Sequence, residues 1–245
     1  MKTVAAMKTV RTGSTKSHEM QKCAHCESMS VSAVCERWSC RQIAAAAKLR
    51  GSIEANHSAW MRHIGVPTRF ADVVLDHFPQ NIQDRIRSIA WSESLFLYGP
   101  TGTMKTSLGF AAAMEWLKST PPRYVNPDKP FLGIKSAWHR IRSCDMMREV
   151  KRCYRSARDD SDSVIKRYET VPLLTIDDIF GGHMESDHDM SMLTSIIDSR
   201  FEWCRPTIVT SNLSVDDLHA RDPRLASRLG GYVKFRLSGE DKRKK

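Results

Sequence analysis

Residues 94–106 read Ser-Leu-Phe-Leu-Tyr-Gly-Pro-Thr-Gly-Thr-Met-Lys-Thr, an apolar run that breaks into a glycine-bearing turn and then into a helical pattern. A strand that delivers such a turn to a helix N-terminus belongs inside a sheet with helices packed over it, so the segment restricts the fold strongly. Gly99, Pro100, Thr101, Gly102, Thr103, Met104, Lys105 and Thr106 follow the phosphate-binding pattern GxxxxGK plus Ser or Thr, with one departure. Met104 stands where the second glycine belongs, while Gly102 is kept. In loops of this kind successive N–H groups face a β-phosphate, the lysine neutralises β/γ oxygens, and the hydroxyl holds Mg²⁺. ATP and Mg²⁺ are the ligands such chemistry implies. Taken alone, a Gly/Thr-rich turn between strand and helix explains the segment equally well.

The flanking pattern decides for a parallel sheet. Helical spacing is predicted over Gln42–Ile53, Ile82–Trp91, Lys105–Lys118 and Asp145–Arg155, with Ser143 where an N-cap belongs. Met190, Leu193, Ile196, Ile197 and Phe201 mark one face of a further helix. Strands are predicted at Leu95–Tyr98, Trp138–Arg142, Val171–Ile176 and Thr207–Thr210. Alternating strands and helices give an α/β fold, a parallel sheet flanked by helices, whose ligands sit at the carboxyl ends of the strands. Three polar groups fall at such ends: the phosphate loop after Tyr98, Asp177-Asp178 after Ile176, and Ser211-Asn212 after Thr210. An apolar strand ending in two acids is the Walker B arrangement, in which Asp177 helps hold Mg²⁺ and Asp178 orients an attacking water. A buried Asn212 would position that water beside the γ-phosphate.

A second signal lies near the N-terminus. Cys23, Cys26, Cys35 and Cys40 crowd into eighteen residues as CxxC and C-x4-C pairs, a spacing that suits one tetrahedral structural Zn²⁺ in a small module. His25 could replace one of the four. Lys22, Arg37, Trp38 and Arg41 beside it suit either a nucleic-acid face or the rim of a partner-binding knob. The first 64 residues hold ten Lys/Arg and four Glu, so +6 of the formal +10 charge is concentrated there. Residues 1–20 read as a disordered basic N-terminus, 21–64 as the zinc-binding module with its linker helix, and 65–245 as the main domain. No apolar run approaches the roughly 18 residues of a membrane helix, and lysines break the N-terminal apolar stretch, so a cytoplasmic protein with no membrane association is expected.

FLYGPTGTMKTSLG, LLTIDDIF, IIDSRFEWCRPTIVTSNLS and DPRLASRL together resemble the AAA+ ATPases of the DnaC-like helicase-loader branch, with IstB-like transposition helpers as near relatives. The resemblance covers roughly residues 65–245 and implies an AAA+ ATPase domain in which Asn212 is the sensor 1 residue. It further implies that Arg228 is an arginine finger reaching a neighbouring subunit's nucleotide, hence a homo-oligomer, and that Arg243 matches the sensor 2 arginine. As partners it implies a replicative helicase and single-stranded DNA, making the chain an ATP-dependent DNA replication protein. Arg148, Lys151, Arg152 and Arg155, within a longer basic run from Arg140 to Arg158, are the candidate DNA-binding residues, although such a run also describes a solvated helix face. An IstB-like transposition ATPase and a non-hydrolysing zinc-module adaptor with a degenerate phosphate loop remain alternatives.

Overall fold

The computed structural model describes residues 21–22, 24, 26, 29–30, 37–90, 92–119, 126, 128, 137–154, 161–181 and 186–239. Five strands, β3 (Leu95–Tyr98), β4 (Trp138–Arg142), β5 (Leu173–Ile179), β6 (Thr207–Ser211) and β7 (Val233–Arg236), form one sheet in the order β4-β5-β6-β3-β7. Every neighbouring pair is parallel. A short antiparallel pair, β1 (Gln21–Lys22) and β2 (Met29–Ser30), lies apart from it.

Period-two alternation explains why the sheet is covered on both sides. Leu95, Leu97, Leu173 and Ile208 turn to one apolar layer with Leu108 and Phe110, whereas Phe96, Leu174, Ile176 and Val209 turn to another with Met146, Leu193 and Leu225. Strands buried on both faces read as continuous apolar runs, and parallel sheets require that double cover. The first layer holds α1 (Trp38–Ala55), α2 (His57–His63), α3 (Gln80–Arg87) and α4 (Lys105–Lys118). The second holds α5 (Ser143–Tyr154), α6 (Ser161–Thr170), α7 (Asp187–Glu202), α8 (Val215–His219) and α9 (Pro223–Gly230).

β3, α4 and β4 have the bounds expected from sequence, but other elements differ. β5 continues through Asp177 and Asp178 to Ile179, with a register irregularity against β6 between Ile176 and Ile179. α6 and β7 had no clear sequence signal: α6 follows a polar stretch and buries mainly Val164 and Tyr168, while β7 is a four-residue edge strand carrying Lys234 and Arg236. The helix read as a linker, α1, buries Ala45, Ala46, Leu49 and Ile53 in the same layer as α4. Among the described residues no helix is long and apolar enough to cross a membrane.

Candidate functional site

The phosphate loop leaves β3 with glycine-type backbone at three positions. Gly99 has φ 144°, Gly102 φ 82°, and Met104 takes the left-handed conformation at φ 65°, ψ 22°. The first position is also sterically closed: a Cβ on Gly99 would stand 2.0 Å from the Leu237 carbonyl oxygen, on a segment tied to β3 by Leu237 N donating to Tyr98 O at 2.8 Å. At Met104 the discordant residue therefore carries the conformation that glycine adopts freely, at a cost of roughly 1–2 kcal/mol. Thr103 Oγ1 donates to Pro100 O at 2.8 Å and braces the turn.

Lys105 and Thr106 open α4. The Lys105 ammonium is buried and donates to Gly99 O and Pro100 O, both at 2.7 Å, so it is folded onto the loop. Thr106 Oγ1 donates to Asp177 Oδ1 at 3.0 Å, joining the loop after β3 to β5 across the intervening β6. Thr210 on β6 completes the bridge: its hydroxyl donates to the same Asp177 oxygen at 2.7 Å and accepts from Asp178 N at 2.8 Å. Sequence inspection missed Thr210, because a threonine inside an apolar strand reads as a β-former. Oxygen donors on Thr106 and Asp177, beside a buried ammonium and the start of a fourteen-residue helix, fit a hard divalent cation and phosphate.

Asp178 sits on the register irregularity in left-handed backbone, φ 60°, and its carbonyl accepts from Ser143 Oγ at 2.9 Å. The Ser143 hydroxyl, expected as a helix cap, thus fastens α5 to β5. A Cβ on Gly181 would stand 1.9 Å from Asp178 Oδ2, so glycine is what lets the carboxylate lie there. Asn212 is exposed rather than buried, and its Nδ2 reaches Asp178 Oδ1 at 3.4 Å. It still stands beside the second acid, since β5 and β6 are neighbours.

Arg228, on α9, is anchored within its own chain. Its Nε donates to Asp198 Oδ1 at 2.6 Å, and its guanidinium lies 5.1 Å from the Phe201 ring. Asp198, on α7, is buried and also pairs with Arg224. Phe201, read from its spacing as part of a buried face, is exposed beneath Arg228. Arg148 pairs with Asp145 at 3.0 Å and Lys151 with Asp189 at 2.7 Å, while Arg152 is exposed. The Asp145 carboxyl is held below its ordinary value chiefly by its hydrogen bond from Arg142.

Arg155 and Arg243 lie outside the described residues, as do Cys23, Cys35 and His25. Cys26 is half-buried and Cys40 is buried in the first turn of α1. Among the described residues no group of three or more His, Cys, Asp or Glu is placed to hold a metal ion. Trp38 is exposed, with Arg41 5.9 Å from its ring and paired with Asp128.

No family model matches the chain, and no curated protein matches its sequence. Solved structures do match its fold. One of DnaI has a TM-score of 0.52 at 19% identity, covering 71% of this chain and 93% of that one. The DnaC helicase loader has a TM-score of 0.50 at 19% identity, covering 70% of this chain and 100% of the other. The replication initiator DnaA bound to AMPPCP and single-stranded DNA has a TM-score of 0.52 at 18% identity over 69% of this chain. The matched region spans about half of that DnaA chain, 50%. With the strand order and flanking helices above, these likenesses establish a parallel α/β fold shared with DnaI, DnaC and DnaA.

Proposed function

We propose that this chain is an ATP-dependent DNA replication protein, a helicase loader that binds single-stranded DNA and a replicative helicase. The observation that carries the reading is the contact of Thr106 with Asp177, buttressed by Thr210, at the carboxyl ends of three adjacent strands of a fold shared with DnaI and DnaC. Gly99 to Thr106 cradle the phosphates of ATP, Lys105 swings from the loop carbonyls to phosphate oxygens, and Thr106 and Asp177 hold Mg²⁺. Bound Mg²⁺ supplies charge neutralisation at the β/γ oxygens. Asp178 orients the attacking water with Asn212 beside it, and Arg228 of a neighbouring copy, with Arg243 as sensor 2, stabilises charge that develops in transfer. The similarity to the DnaC helicase loader and to DnaA bound to single-stranded DNA supports the partners. Arg148, Lys151, Arg152 and Arg155 form the DNA-facing surface.

Cys23, Cys26, Cys35 and Cys40 hold a structural Zn²⁺ in a small N-terminal module that runs into α1, while α1 and α2 pack in the core layer of the ATPase domain and belong with it. The protein works in the cytoplasm as a homo-oligomer. A second reading, nucleotide binding without turnover, is favoured by the left-handed Met104 and by the arginine paired to Asp177. Titration with a fluorescent ATP analogue and assay of phosphate release, with and without single-stranded DNA, test both readings. Wild type should bind and hydrolyse, Lys105→Ala should do neither, and Arg228→Ala should bind while losing turnover by orders of magnitude. Binding without hydrolysis under every condition selects the second reading, and no binding removes both.

A further inference from the structure

The sequence groups Arg140 with the basic run that follows it, yet its side chain turns inward. Arg140 lies on β4 opposite Thr175 of β5, and its Nη2 donates to Asp177 Oδ2 at 2.6 Å. The other Asp177 oxygen accepts from Thr106 and Thr210, so both oxygens of the acid are engaged. The Asp177 side chain is 6% exposed and that of Arg140 23%. The Arg140 guanidinium also lies 5.3 Å from the ring of Phe110, which is buried on α4, four residues beyond Thr106. Its Nε is buried and has no hydrogen-bond partner among the described residues. A planar guanidinium suits this slot, sandwiched between a ring and a carboxylate.

A carboxylate this buried needs a cation or full hydrogen-bond compensation. Arg140 supplies the cation from within the chain. Mg²⁺ requires oxygen ligands in near-octahedral geometry, so an arginine on Asp177 Oδ2 and a metal ion served by the same carboxylate oppose each other by charge and compete for lone pairs. We propose that Arg140 is the resident counter-ion of Asp177, a positioning residue that sets the Mg²⁺ concentration at which the nucleotide site becomes competent. The proposal rests on the nucleotide-binding reading above. Arg140 withdraws from Asp177 as the metal arrives, and its contact with Phe110 passes that movement to α4, whose first turn carries Lys105 and Thr106.

The test reads binding of a fluorescent ATP analogue across Mg²⁺ concentrations, from chelator alone to excess, and takes the Mg²⁺ midpoint. Arg140→Gln should lower that midpoint about fivefold or more, the lower end of typical coupling between two ligands of one site. Arg140→Lys keeps the charge but loses the fork and the ring contact, and should give a smaller shift in the same direction. In an Asp177→Asn background, Arg140→Gln should cause no further shift, because the two residues act on one another. A purely structural Arg140 would lower thermal stability and leave the midpoint in place. Analogue binding with an unshifted midpoint in both Arg140 variants therefore overturns this proposal while the nucleotide reading stands. Binding absent in wild type at every Mg²⁺ concentration overturns both. Should Arg140→Gln fail to fold, the Arg140→Lys midpoint decides.

Discussion

Arg200→Met should be among the most damaging single substitutions in the domain, although Arg200 is remote from the nucleotide site. Its side chain has no solvent exposure. Nη1 donates to the carbonyls of Tyr168 and Val171 at 2.8 Å and of Glu169 at 3.1 Å, and Nη2 to Pro206 O at 2.7 Å and Pro172 O at 3.4 Å, while Nε donates to Thr207 Oγ1 at 2.8 Å. One guanidinium thereby ties the last turn of α6 to the segments entering β5 and β6. Helix-terminal carbonyls have no intrahelical donors, and a cation there also offsets the helix dipole. Burial pushes the guanidinium down to about 9, so it remains charged at neutral pH.

Methionine fills comparable volume but offers no donor. Each buried acceptor left unpaired costs about 1–3 kcal/mol, and because carbonyls have second lone pairs and the losses are not additive, about 3–5 kcal/mol in total is expected. A domain stable by about 5–15 kcal/mol would lose roughly a fifth or more of its margin. Arg200→Lys keeps the charge but has three donors rather than five, and should cost about half as much. Urea unfolding followed by circular dichroism reads the change as a midpoint lowered by about 1–3 M for Arg200→Met, with the slope unchanged. A loss below about 1 kcal/mol, or equal damage from lysine and methionine, would refute the view of Arg200 as a multidentate carbonyl clamp.

Gly181→Ala should leave folding nearly intact, because the clash is with the movable end of Asp178, while ATP hydrolysis falls at least about tenfold with analogue binding retained; unchanged turnover would show that the carboxylate's resting position is immaterial. Met104→Gly relieves about 1–2 kcal/mol of left-handed strain but adds about 0.5–1 kcal/mol of glycine entropy, and the strain is already present in the free chain. Stability should therefore change by less than about 1.5 kcal/mol and analogue affinity by less than about threefold, and a tenfold gain in a binding titration would contradict this. Metal analysis of the purified full chain should find one equivalent of zinc, reduced when Cys26 or Cys40 is replaced by Ser; protein that binds none ends the zinc proposal.

Local pattern sufficed wherever the information was local. The phosphate loop, the apolar strand leading to Asp177 and Asp178, and the bounds of β3, α4 and β4 follow from residue period and turn chemistry, which a chain displays without knowing its neighbours. Even the conformational demand at Met104 was readable, because it belongs to one residue's backbone. α6 and β7 escaped because a polar approach and a four-residue edge strand have too little periodicity.

Pairing was the province of the tertiary structure. Arg140 and Arg148 are alike in the sequence, but one pairs with a buried acid across β4 and β5 and the other with half-buried Asp145 on its own helix. Arg200 and Arg205 sit five residues apart near the same loop; one disappears beneath a whole set of carbonyls, whereas the other meets only one of them, Glu169 O at 2.7 Å, and reaches the ring of exposed Trp203. Strand order placed β6 between β5 and β3, turning Thr210 from a strand former into a hydrogen-bond link to both acids, on the same Asp177 oxygen that Thr106 meets. A side chain's charge and hydrogen-bonding capacity are properties of its residue type, whereas the partner that gives them an energy is brought there only when distant segments pack.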